Sequence, residues 1–98
     1  MIKKLFRKIG RKRRLKRNLI KVKEYLLTLE LRDGICYAIH ELYYRNKISY
    51  WQRYELFKFI ESNEPEESKI SENSYWWAQN QIGRDCRIEF LNKLIEKL

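Results

Sequence analysis

Aromatic residues that lie close to cations are the side chains in this sequence best suited to binding chemistry. They form three groups, Tyr43-Tyr44, Tyr50-Trp51 and Tyr75-Trp76-Trp77, and the cations near them are Arg45, Lys47, Arg53, Arg84 and Arg87. Aromatic faces stack on nucleobases, while arginine and lysine neutralise phosphates. Packing between helices is the commoner role for any single ring, but together these rings exceed what one small core can use. We therefore predict a ligand-binding surface formed by Tyr75, Trp76, Trp77, Arg84 and Arg87.

A second concentration of charge lies at the start of the chain. Residues 1–17 contain ten lysines and arginines and no acid, whereas residues 18–98 contain 12 bases and 13 acids, so the net charge of +9 comes from the first segment. Because like charges repel, this segment is expected either to stay solvated as a tail or to lie against an anion. The anion could be a nucleic acid, a phosphate-bearing ligand, an acidic protein, an anionic membrane or the acids of the chain itself at Glu61, Glu64, Glu66 and Glu67. The residues predicted to bind an anion or nucleic acid are Arg7, Arg11, Lys12, Arg13, Arg14, Lys16 and Arg17.

The first ten residues also carry a helical pattern. Ile2, Leu5, Phe6 and Ile9 recur at helical spacing among the cations, which predicts a basic amphipathic helix up to Gly10. Such a helix suits a membrane surface, a partner protein or packing on the chain's own domain.

Two cysteines and one histidine are the remaining residues with chemical potential. Cys36 and His40 lie four positions apart on one helical face, and Cys86 could approach from another helix. A structural zinc site requires four ligands, and the chain has no Cys-x-x-Cys pair. We predict no metal, no cofactor and no enzymatic activity, since the sequence also lacks a phosphate-binding glycine loop and a nucleophile motif. Reduced cysteines are the default, and pairing of Cys36 with Cys86 is left open.

The elements that must position these residues are helices. Leu19, Val22, Leu26 and Leu29 predict one buried stripe from Asn18 onward, and a second stripe contains Ile20, Leu27 and Leu31. After an Asp33-Gly34 turn in which Asp33 can cap, a second helix runs from Ile35 to about Asn46. Ser49 and Gln52 predict a capping box at the start of a third helix. Its buried residues are predicted to be Tyr54, Leu56, Phe57 and Ile60, and it should end near Ser62 with Asn63 as a left-handed cap.

Residues 63–84 have no sustained period, and a last helix is predicted after Gly83, capped by Asp85 and packed through Ile88, Leu91 and Leu94. The predicted fold is all-α. It is a compact bundle of about four helices with a long aromatic-containing loop before the last helix. The predicted organisation is a basic N-terminal segment at 1–17 and a single helical domain at 18–98.

Three short segments resemble a known group of proteins. These are Gly34-Ile35-Cys36-Tyr37-Ala38-Ile39, the Tyr75-Trp76-Trp77 segment and Arg87-Ile88-Glu89-Phe90-Leu91 with Leu94-Ile95. They are similar to the G-I-C, Y-W-W and R-x-x-F-L segments of small uncharacterised accessory proteins encoded by tailed bacteriophages. The resemblance covers residues 26–98, and it implies a non-enzymatic binder, inhibitor or sequestering protein that acts on host metabolism or defence.

The leading hypothesis is a phage-type accessory protein that counters host defence in the bacterial cytoplasm. It would bind an anionic nucleotide-type ligand or nucleic acid through the basic and aromatic residues. One alternative is a protein–protein inhibitor whose basic N-terminus docks on an acidic host protein. The other is a membrane-surface protein anchored by residues 1–10. The sequence leaves open whether the chain is a monomer or a homo-oligomer.

Overall fold

The computed structural model describes the backbone of residues 2–30, 34–63 and 81–98 and the side chains of residues 10–30, 34–63 and 84–98. In these ranges the chain forms four helices and no strand: α1 (Ile2–Thr28), α2 (Ile35–Tyr44), α3 (Tyr50–Asn63) and α4 (Gln81–Lys97). The predicted all-α bundle is thereby confirmed. The segment 64–80, which contains Tyr75, Trp76 and Trp77, lies outside the described residues, as does Asp33.

Helix α1 is longer than its sequence pattern predicts. It runs without interruption for 27 residues, so the helix end predicted at Gly10 and the helix start predicted at Asn18 are both wrong. Gly10 is exposed, and among the described residues no other part of the chain lies within 4 Å of the point that a Cβ would occupy there. Its cost of about 1 kcal/mol is therefore conformational only, and the packing of Leu15 and Leu19 outweighs it. Asn18 is buried inside the helix. The division into segments 1–17 and 18–98 stays a prediction. Helix α1 is continuous across the predicted boundary.

The core forms around α1, which contacts each of the other three helices. Leu15, Leu19, Val22 and Leu26 form its buried face. The other helices contribute Ile35, Ala38, Ile39, Leu42, Leu56, Ile60, Phe90, Leu91 and Leu94. Burial of this apolar set is the main favourable term in folding.

The second predicted stripe of α1 is wrong. Leu27 is 49% exposed and Ile20 is also exposed, because both lie on the side of α1 turned away from the residues that face the core. Leu31 lies outside the described residues. Tyr54, predicted as a core residue of α3, is exposed as well, whereas Leu56 and Ile60 are fully buried as predicted.

The connection from α2 to α3 is short, and several hydrogen bonds hold it. Asn46 takes a left-handed conformation (φ 60°), which asparagine tolerates better than most residues. Asn46 N–H donates to Tyr43 O at 3.0 Å and Lys47 N–H donates to Leu42 O at 2.9 Å, which is the Schellman pattern. The capping box is confirmed, since Gln52 N–H donates to Ser49 Oγ and Ser49 N–H donates to Gln52 Oε1. These bonds place the last turn of α2 beside the first turn of α3.

Helix α4 begins at Gln81, ahead of the predicted start at Asp85, so Gly83 lies inside the helix. Helix α3 ends at Asn63, whose Nδ2 donates to Phe59 O at 2.8 Å. Lys97 of α4 donates to Asn63 Oδ1 at 2.6 Å and joins the ends of the two helices.

Candidate functional site

The ligand site predicted around the Tyr75-Trp76-Trp77 segment is described only at its two arginines. Arg84 Nη2 donates to Leu27 O at 2.6 Å, and this bond satisfies a carbonyl in the last turn of α1. Arg87 is fully buried and makes its contacts inside the protein. Both arginines therefore serve the packing of α4, and their role in ligand binding stays a prediction.

Two of the predicted anion-binding residues are held by one carboxylate of α3. Arg14 donates to Glu55 through Nε at 3.3 Å and through Nη2 at 2.9 Å, a bidentate pairing. Arg11 Nε lies 3.6 Å from Glu55 Oε2. The hydrogen bond to Glu55 raises the pKa of Arg14, burial opposes it and the carboxylate charge adds to it. Glu55 was not among the four acids proposed from the sequence, of which Glu64, Glu66 and Glu67 lie outside the described residues. No local pattern could have revealed a contact across 41 positions.

Four other cations of α1 face solvent. Lys12, Arg13, Lys16 and Arg17 are exposed, and within the described part of the chain none of them forms a hydrogen bond or an ion pair. Arg13 and Arg17 are four positions apart, so they share one helix face, where like charges repel. Arg7 belongs to α1 by its backbone, and its side chain lies outside the described residues. This basic face of α1 can lower its electrostatic free energy by binding a polyanion.

Five aromatic residues at the α2–α3 junction form a continuous surface, which we call the aromatic strip: Tyr43, Tyr44, Tyr50, Trp51 and Tyr54. The ring centroid of Tyr43 lies 5.5 Å from that of Tyr44 and 6.4 Å from that of Tyr50. The Tyr50–Trp51 and Trp51–Tyr54 distances are 5.2 and 6.5 Å, so all four lie within the range of aromatic contact. All but Tyr43 are exposed, and Trp51 is the most exposed at 72%. The sequence had marked the first four of these residues as recognition candidates, whereas Tyr54 was assigned to the core.

Cations pack on the faces of the strip. The guanidinium carbon of Arg53 lies 4.3 Å from the Tyr43 ring centroid and 5.1 Å from that of Tyr50. Lys58 Nζ lies 5.5 Å from the Tyr54 centroid. These are cation–π distances, so the strip combines ring surface with positive charge.

The aromatic strip and the basic helix meet at a cleft of about 310 Å³. Its lining consists of Arg14, Ser49, Trp51, Gln52 and Glu55. Trp51 contributes a ring and Arg14 contributes a cation that Glu55 holds in position. A flat aromatic group and a neighbouring phosphate are the ligand parts that this pairing suits.

A second cleft, of about 400 Å³, continues the basic surface between α1 and the end of α2. It contains Lys21, Arg45 and Lys47 together with Tyr25. Lys21 Nζ donates to Lys47 O at 3.1 Å, and Arg45 lies 5.4 Å from the Tyr25 centroid. These cations extend the positive surface beyond the seven residues predicted from the sequence.

The cysteines and the histidine do not form a site. Cys36 and Cys86 are both free and partly buried, and His40 packs against Phe57 with ring centroids 5.2 Å apart. Burial raises the pKa of the Cys36 thiol, and the nearby charge of Glu61 raises it further. In residues 10–30, 34–63 and 84–98, no three His, Cys, Asp or Glu side chains come together as a metal site would require.

Comparison with known proteins yields no relative, since the chain matches no family model, no curated protein and no solved structure at a significant level. None of the described helices combines the length and apolar character needed to cross a bilayer.

Proposed function

We propose that this protein is a non-enzymatic nucleic-acid-binding protein in which the basic face of α1 contacts phosphates and the aromatic strip contacts bases. The observation that carries the proposal is the cleft in which Trp51 of the aromatic strip lies beside Arg14 of α1. Alone, a basic helix face can simply be solvated, and aromatic rings can simply pack between helices. A ring beside a cation on the same surface is what a chain of alternating phosphates and bases requires.

The electrostatic part of the argument rests on Lys12, Arg13, Lys16 and Arg17. These four cations are exposed on a helix that packing holds in place through Leu15 and Leu19, so they form a fixed array and not a loose tail. Binding to phosphates would release condensed counterions, which favours association at low salt.

The aromatic part rests on exposure. Tyr44, Tyr50, Trp51 and Tyr54 leave contiguous ring surface in water, although burial of aromatic side chains is strongly favourable. Contiguous exposed apolar surface is typical of an interaction site. An acidic protein partner would use the same cations, but it would not need rings flanked by Arg53 and Lys58.

The resemblance to tailed-phage accessory proteins supports a biological setting for this binding. In that setting the protein would act in the host cytoplasm against a defence system, by covering or sequestering a nucleic acid or a nucleotide-type ligand. Capture of nucleic acid from infected cells, sequenced after crosslinking, would identify the target.

The test is the salt dependence of binding to labelled oligonucleotides, measured by fluorescence anisotropy. Replacing Arg13, Lys16 and Arg17 by glutamine should weaken binding and reduce the slope of log affinity against log salt by about 0.7 per lost contact on a single strand, or about 0.9 on a duplex. Lys93→Gln is the matched control, because this exposed lysine lies on α4 and pairs with Glu89.

The proposal is overturned if the triple variant keeps the wild-type slope of log affinity against log salt. It is also overturned if Lys93→Gln weakens binding as much, per charge removed, as the triple variant does. A wild-type protein that binds no oligonucleotide at low salt would also overturn it. Binding to an acidic protein that survives substitution of the aromatic strip would instead support the inhibitor hypothesis.

A further inference from the structure

We infer that the nucleic acid is single-stranded and that the cleft between Trp51 and Arg14 holds one unpaired base against the indole ring. This inference rests on the proposed function and deepens it. Two features of the protein carry it: the exposed ring of Trp51 and the groups around that ring. The third argument concerns the form of nucleic acid that can reach the ring.

Among the described residues, Trp51 and Tyr44 are the exposed rings of the aromatic strip with no cation packed on them, and of these two Trp51 lines the cleft beside Arg14. Arg53 already lies over the faces of Tyr43 and Tyr50, and Lys58 lies over Tyr54. Trp51 meets its neighbours at interplanar angles of 85° with Tyr50 and 82° with Tyr54, which are edge contacts. With 72% of its surface exposed, the indole keeps a face open to a ligand.

The cleft beside Trp51 is organised before any ligand binds. Glu55 fixes Arg14 by two hydrogen bonds, and the Ser49–Gln52 capping box fixes the first turn of α3. Gln52 uses its side-chain oxygen in the box, so its amide NH₂ group is not required there and can donate to a base edge. A preorganised cleft loses less side-chain entropy on binding.

The charges near the cleft suit the backbone of a strand. Arg14 and the Glu55 carboxylate that pairs with it both line the cleft. Arg17, which is exposed, follows Arg14 three positions later, one helical turn away on α1. A base stacked on Trp51 would therefore have cations within reach of its flanking phosphates. Lys21, Arg45 and Lys47 line the second cleft together with one acid, Glu24, and provide further positive charge.

A duplex cannot use this arrangement without losing base pairing. Its bases expose only their edges in the grooves, and extrusion of one base costs a few kcal/mol. An unpaired base offers its face at much lower cost, and stacking on an aromatic side chain tolerates any base. The cleft therefore favours single strands, whether of DNA or RNA.

The experiment compares dT12, rU12 and a 12-base-pair duplex, with linear polyphosphate of similar charge as a ligand that has no bases. The wild-type protein should bind the single strands more tightly than the duplex. Trp51→Ala should weaken single-strand binding about 5- to 150-fold, with duplex and polyphosphate binding unchanged. Trp51→Phe keeps a ring and should recover part of the loss.

Urea denaturation should show that Trp51→Ala is folded with near wild-type stability, as expected for a side chain this exposed. The inference is overturned if the duplex binds as tightly as the single strands, or if Trp51→Ala leaves single-strand affinity unchanged. In both cases salt-dependent binding through α1 would survive, so the proposed function would stand. If the wild-type protein binds none of the four ligands, the proposed function itself is refuted.

Discussion

Replacing Glu55 with glutamine removes the carboxylate that holds Arg11 and Arg14 against α3. The Glu55 side chain is only 15% exposed, and it accepts both hydrogen bonds of Arg14. Glutamine has nearly the same shape but no charge, so one of the two bonds can persist while the ionic attraction is lost. The variant therefore measures the ion pair with little change in packing.

The expected loss of stability follows from the exposure of the three side chains. Hydrogen bonds to charged groups are worth roughly 1.5–3 kcal/mol, whereas exposed ion pairs contribute roughly 0.2–1 kcal/mol. Because Arg14 is 38% exposed and Arg11 68%, solvent screening moves the value toward the lower range. We expect Glu55→Gln to lower the free energy of unfolding by about 1 kcal/mol, or Tm by roughly 4–8 °C for a domain of this size.

The same substitution should strengthen polyanion binding, because we expect the gain in positive charge to exceed the loss of the order that Glu55 gives to Arg14. The net charge rises from +9 to +10, and two arginines lose their internal partner beside the cleft. Urea denaturation and oligonucleotide anisotropy measure the two effects. Glu61→Gln is the matched control, since Glu61 is an exposed acid on the same helix and its loss changes the charge equally. If the two variants show equal stability and equal affinity, the ion pairs of Glu55 with Arg11 and Arg14 contribute nothing, and the reasoning is refuted.

Three further predictions concern packing, capping and thiol chemistry. Leu91→Ala should lower the free energy of unfolding by about 2–5 kcal/mol because Leu91 is fully buried, whereas Leu27→Ala should cost less than about 1 kcal/mol; equal losses in urea denaturation would contradict the assigned core. Ser49→Ala should cost about 0.5–2 kcal/mol in the same assay through loss of the hydroxyl bond to Gln52 N–H, and an unchanged midpoint would argue against the capping box. Cys36 should be alkylated more slowly in the folded protein than in urea at pH 8, because burial raises the pKa of its thiol; mass spectrometry that finds equal rates would contradict this.

Local sequence patterns predicted the helical elements well. The stripe at Leu19, Val22 and Leu26 is buried, and the capping box at Ser49 and Gln52 forms as expected. These features depend on residues within one or two turns of each other, so the chain specifies them without reference to distant parts. The break predicted at Gly10 failed because helix propensity is a weak term that packing of Leu15 and Leu19 overrides.

The site was predictable in composition but not in arrangement. The sequence showed that α1 is strongly basic and that aromatic residues cluster at the α2–α3 junction. It could not show that Arg14 is held by Glu55 while Arg17 faces solvent, since both lie in the same basic run. It also placed Tyr54 in the core, although α3 turns that ring outward to join Trp51.

The sequence by itself determined the helices, the polarity of α1 and the sign of the charge that the protein presents. Tertiary structure alone decided which cations are neutralised internally, which rings keep an open face and that Arg87 is buried. The physical reason is distance along the chain. Helical periodicity is set by neighbours three or four positions apart, whereas the Arg14–Glu55 pair spans 41 positions and exists only because α1 and α3 pack together.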